Sequence, residues 1–78
     1  MNDDEGFSSL QSVLKWAEQT GKRLRFYGRT MIILAEALVA GVGEEIVALK
    51  HRETGEAEEF LILSQIAKVQ TLQEMYHL

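Results

Sequence analysis

Apolar residues recur along this chain with two different periods, and the change from one to the other falls at Gly21. Before it, Leu10, Val13, Leu14 and Ala17 follow the i, i+3, i+4, i+7 spacing of one helical face, while Gln11, Lys15, Glu18 and Gln19 point elsewhere. Ser8 and Ser9 stand just ahead of that stripe, where a serine hydroxyl accepts a backbone N–H that the first helical turn leaves unpaired. Gly21 supplies a left-handed stop. The pattern predicts a helix of about three turns. After it, Leu24 and Phe26 alternate with Arg23, Arg25 and Tyr27, the period of a half-buried strand that ends at Gly28.

The segment 31–40 supports two readings. Its alanine, leucine and glutamate favour a helix that Gly41 would stop. Ile32-Ile33, Val39 and Val42 suit a strand instead, with Gly41 and Gly43 marking a bend or bulge. We favour the strand. Ile46 to Leu49 and Phe60 to Leu63 are short apolar runs joined by a polar stretch with Thr54-Gly55 at its tip, which reads as a hairpin. Beyond a break near Ser64, Ile66 and Val69 continue as a last short strand. In the alternative, Ser64 caps a C-terminal helix carrying Ile66, Val69, Leu72 and Tyr76.

With 78 residues the chain holds one core and not two, and a domain of this size buries only roughly 60% of the surface its unfolded chain exposes. It has no cysteine, which removes disulfides and thiolate metal sites and makes a reducing, cytoplasmic setting the expectation. Further burial has to come from tight packing or from oligomerisation, and a homo-oligomer is expected. The acidic start 1–7 is unlike a signal peptide and is expected to be disordered, with 8–78 as a single domain. The longest apolar run, Met31 to Ala35, is far short of the ~20 residues that span a bilayer, so a soluble protein with no membrane partner is expected. A formal charge of -4 opposes generic nucleic-acid binding, although Lys22, Arg23, Arg25 and Arg29 form a local basic group.

Helix, strand, long bent strand, strand, hairpin, strand and short closing strand together resemble the order of an Sm-like barrel. Two stretches carry the likeness: Ala37 to Leu49, similar to that fold's bent strand, turn and third strand, and Glu59 to Val69, similar to its closing pair. Ser9-Leu10-Gln11 followed by Val13-Leu14 is similar to the start of the Hfq type of Sm-like RNA chaperone, and the likeness runs from Ser9 to Val69. It implies a mainly β fold behind an N-terminal helix, a five-stranded barrel, and a ring of copies joined strand to strand. Gln11 matches a position that family uses on RNA. Leu63-Ser64 stand where the family has a lysine-histidine pair, and the family's glycine in the bent strand is replaced by the glutamate and alanines nearby. The alternative fold is α+β, with a second helix at 31–40 and a C-terminal helix. A looser likeness in outline is to WYL-type barrels and to the small acidic inhibitors of the Rho terminator, which bind a protein.

No catalytic constellation assembles, so the chain is not expected to be an enzyme. His51 lies beside Arg52 and Glu53 at a strand end, and His77 is next to the last residue; two isolated histidines make no metal site, and no cofactor is expected. Gly41-Val42-Gly43 lacks the residues of a phosphate loop and reads as a bend. Met31 and Met75 read as fillers of gaps or of a subunit seam. Phe26 and Tyr27 occupy opposite faces of one strand. Tyr27, flanked by Arg25 and Arg29, is the candidate stacking residue. The leading expectation is a non-catalytic oligomeric regulator that binds RNA or short nucleic-acid segments through Gln11, Arg25, Tyr27 and Arg29. The competing one is an acidic module that masks a protein partner with Glu44, Glu45, Glu56, Glu58 and Glu59, anchored by Trp16; if not a hot spot, Trp16 is core packing. A small-ligand or nucleotide sponge is a third.

Overall fold

The computed structural model describes residues 7–73 and consists of one helix followed by five antiparallel strands. Helix α1 spans Leu10–Thr20 and is closed at both ends by the residues its sequence supplies. The Ser9 hydroxyl accepts the Ser12 N–H at 3.1 Å, and the Ser12 hydroxyl accepts the Ser9 N–H at 3.1 Å, so two of the orphan donors of the first turn are satisfied. Gly21 takes φ 69°, ψ 29° and returns its N–H to the Ala17 carbonyl. That is the left-handed cap glycine adopts without a Cβ penalty.

The strands are β1 (Arg23–Tyr27), β2 (Ile33–Val42), β3 (Ile46–Lys50), β4 (Glu59–Ile62) and β5 (Lys68–Thr71), in the sheet order β4-β3-β2-β1-β5. From Ile33 onward segment 31–40 is therefore strand, and the alternative second helix is wrong. Its residues have moderate helix propensity, but β2 is the central strand: it pairs Leu24 with Ala37 on one side and Val39 with Leu49 on the other, and tertiary pairing overrides propensity. The register slips between Val39 and Gly41, placing the expected irregularity at the glycine. The C-terminal helix is wrong as well over the described residues. Leu63–Gln65 is a single 3-10 turn, after which the chain pairs with β1, the Ala67 N–H donating to the Tyr27 carbonyl at 2.8 Å. Tyr76, Met75 and His77 lie outside the described residues, as does 1–6 of the acidic start.

Alternation sorts the side chains onto two faces. Leu24, Phe26, Ala37, Val39, Val47 and Leu49 point to the helix-covered side and join Leu14 and Ala17 in the buried core, with α1 lying chiefly against β2. Trp16 packs on the margin of that core, and the ring of Phe7 meets it edge-on at 5.4 Å. The opposite face carries no helix, although Leu38 on it, opposite Arg23 and Lys50, is only 5% exposed. The sheet is not closed on itself: the 3-10 turn carries the chain from β4 to the far side of β1, and β4 and β5 remain at the two ends of the order. Among the described residues no helix is long and apolar enough to cross a membrane.

Candidate nucleic-acid interface

Residues paired across antiparallel strands share a face, so the register builds the open side of the sheet directly. On its β5–β1–β2 half, Lys68 stands opposite Tyr27, Gln70 opposite Arg25, and Arg25 opposite Glu36. These five side chains form one connected group. The Arg25 Nε donates to Glu36 Oε2 at 2.6 Å, its Nη1 lies 3.5 Å from the Tyr27 hydroxyl, and that hydroxyl is 2.9 Å from Gln70 Oε1. The Lys68 ammonium sits 4.8 Å from the centre of the Tyr27 ring, within cation–π range. Hydrogen bonds to Tyr27 and to Glu36 raise the Arg25 pKa above its ordinary value.

The four residues expected to contact RNA are not all brought together. Arg25 and Tyr27 are neighbours on the open face. Arg29 lies in the β1–β2 turn, where its Nη1 reaches the Ser64 carbonyl at 3.3 Å and ties that turn to the 3-10 segment. Gln11 is elsewhere: its Nε2 donates to the Gly43 carbonyl at 2.7 Å, clamping the first turn of α1 onto the β2–β3 turn on the covered side. Lys68 and Gln70, which complete the group, were absent from the sequence expectation. Their alternation was legible, but nothing local indicates that β5 lies beside β1.

The β3–β4 half of the same face is apolar. Ile46 pairs with Ile62 and Ala48 with Phe60, and Ile46, Phe60 and Ile62 are 44%, 60% and 54% exposed. The acidic residues bracket this strip rather than forming one patch. Glu44 and Glu45 lie in the β2–β3 turn, beside Ile62 in a shallow cleft that Leu63 and Ser64 complete. Glu56, Glu58 and Glu59 lie at the other end, where Glu59 is 3.6 Å from His51 Nε2 and the Glu58 N–H donates to the Leu49 carbonyl at 2.7 Å. Trp16 belongs to neither cluster. Met31 fills no gap within the chain: it is 55% exposed, at the tip of the β1–β2 turn beside exposed Ile32 and Ile33, with φ 67°.

Among the described residues no group of three or more histidine, aspartate or glutamate side chains is placed to hold a metal. No family model, curated protein or solved structure gives a significant match to the chain.

Proposed function

We propose that the chain is a non-catalytic, Sm-like regulator that assembles from several copies and binds single-stranded RNA or short nucleic-acid segments. The observation that carries this reading is the pair of unequal edges left by the strand order β4-β3-β2-β1-β5. An unpaired edge offers main-chain donors and acceptors to any strand that meets it. Here β4 is bracketed by Glu45 and Glu59, whereas β5 carries Lys68 and lies next to Arg25, so β4 of one copy complements β5 of the next. The contact is head-to-tail, which closes into a ring when the rotation per copy permits. Leu61 on β4 and Val69 on β5 support it further. Both point to the core side and are half-buried, and pairing the two edges covers each with the other.

The nucleic-acid surface in this reading is the Arg25–Tyr27–Lys68–Gln70 group with Arg29 at its margin: cations for phosphates and one aromatic face for a base. The test is fluorescence anisotropy with labelled single-stranded RNA of random sequence across a salt series. Binding that weakens steeply with salt, and weakens in Arg25→Ala and Tyr27→Ala, is expected. No binding at low salt removes the RNA reading.

The apolar strip Ile46, Phe60 and Ile62, with acidic groups at both ends, favours a second reading, a module that masks a protein whose surface is apolar with a basic rim. A single protein recovered by pull-down after nuclease treatment, and lost in Phe60→Ser, supports it; RNA-dependent recovery counts against it.

A further inference from the structure

The C-terminal turn of α1, the start of β1, the end of β5 and the β3–β4 connection meet around a cleft of about 520 Å³, within the range of small-molecule sites. It holds the chain's one tryptophan, Trp16, together with Thr20, Lys22, Arg23, Glu53 and Gln73. We infer that this cleft binds a nucleobase with its attached phosphate, Trp16 facing the base and Lys22 and Arg23 holding the phosphate. This site takes Arg23 from the same row of β1 as Arg25 and Tyr27, but none of the Arg25–Tyr27–Lys68–Gln70 group lines it, and it does not rest on the RNA reading given there.

The chemistry of the lining selects this class of ligand. Among the described lining residues two cations stand with one carboxylate, a balance that favours an anion. Lys22 is exposed and has no ion-pair partner among the described residues; Arg23 spends one N–H on the His51 carbonyl at 3.3 Å and keeps the rest of its five donors. An inorganic anion alone would leave most of this volume unfilled. Trp16 also lines the cleft, and every base has a face that stacks on an aromatic ring. The Glu53 carboxylate can accept from ribose hydroxyls or base N–H groups, and the Gln73 amide can both accept and donate along the polar edge of a base. The Glu53 backbone is itself held, its carbonyl accepting from Lys50 Nζ at 2.9 Å. The Thr20 hydroxyl donates to the Trp16 carbonyl at 2.7 Å, which fixes the last turn of the helix at the rim.

Because the protein has one tryptophan, its emission reports the surroundings of Trp16, of which this cleft is one side. The full chain is titrated at low salt with AMP, UMP, adenosine, inorganic phosphate and a short 5′-phosphorylated oligonucleotide, with excitation at the red edge of the indole band, where nucleotides do not absorb. A saturable change with AMP or UMP at a dissociation constant below about 1 mM is expected. Lys22→Ala should weaken it about tenfold, the loss of one charge-assisted bond, while Lys15→Ala, an exposed helix lysine outside the cleft lining, leaves it unchanged. Inorganic phosphate should leave the emission unaltered, and adenosine should bind more weakly than AMP. An oligonucleotide that binds tighter than AMP, with the same loss in Lys22→Ala, identifies a strand end as the source of the nucleotide; equal affinity identifies the free nucleotide. No change with any nucleotide or oligonucleotide, or full affinity in a folded Lys22→Ala protein, overturns the proposal.

Discussion

Replacing Glu36 by Gln separates the structural use of Arg25 from its use as a phosphate contact. The Arg25–Glu36 pair is short, 2.6 Å, but the two side chains are 32% and 44% exposed, so water competes for both partners. Exposed pairs of this kind contribute about 0–1 kcal/mol. In a domain this small, 1 kcal/mol corresponds to about 4–8 °C in melting temperature, which bounds the loss expected in Glu36→Gln. The gain is electrostatic. The carboxylate both repels phosphate and occupies the guanidinium, and its removal frees one cation beside Tyr27 and Lys68. One added phosphate contact on a single strand steepens the dependence of log K on log salt by about 0.7, which amounts to about fivefold tighter binding at ~0.1 M salt relative to ~1 M. Anisotropy with a labelled single-stranded RNA, read across a salt series, measures both affinity and slope. If Glu36→Gln folds and yet keeps the wild-type slope and affinity, the Glu36 carboxylate does not compete with phosphate for Arg25.

Three further outcomes concern stability and are read by urea unfolding. Gly21→Ala should cost about 1 kcal/mol or slightly more, because an added Cβ has no atom within 4 Å and the penalty is the left-handed backbone alone; Gly41→Ala, equally uncrowded but without a positive φ, should cost nothing or stabilise, and equal losses at the two sites would contradict this. Met31→Asn should stabilise by about 0.5–1 kcal/mol, since Met31 holds φ 67° with an exposed side chain and asparagine tolerates that region better; a loss of stability would show that Met31 makes a contact worth more than its strain. Phe26→Ala should cost about 3–5 kcal/mol, a large part of what a small domain possesses, as Phe26 is the largest fully buried side chain; a loss below about 1 kcal/mol would place it outside the core.

Local elements are legible where the chain itself carries the physics. Ser9 and Gly21 bound α1 because a cap is decided by one side chain and one φ, and Arg23–Tyr27 alternates strictly because one face of β1 is buried. Segment 31–40 was balanced between helix and strand until its neighbours were known, since alanine and leucine fit either, and pairing with both β1 and β3 decides it. The site was legible only in part. Arg25 and Tyr27 share a face by period alone, but Lys68 and Gln70 join them through a contact more than 40 residues distant in sequence, which no local pattern encodes. Gln11 is marked out only by the Sm-like resemblance, and its amide is engaged in holding α1 to Gly43. The cleft around Trp16 was equally hidden, because Lys22, Glu53 and Gln73 come from three separate stretches.

Assembly through the β4 and β5 edges is tested most directly by native mass spectrometry of the purified chain over a range of concentrations. One discrete multimer with a fixed number of copies is expected, persisting on dilution. A monomer at every concentration, or a ladder of sizes growing without limit, would contradict closure of the two edges on each other.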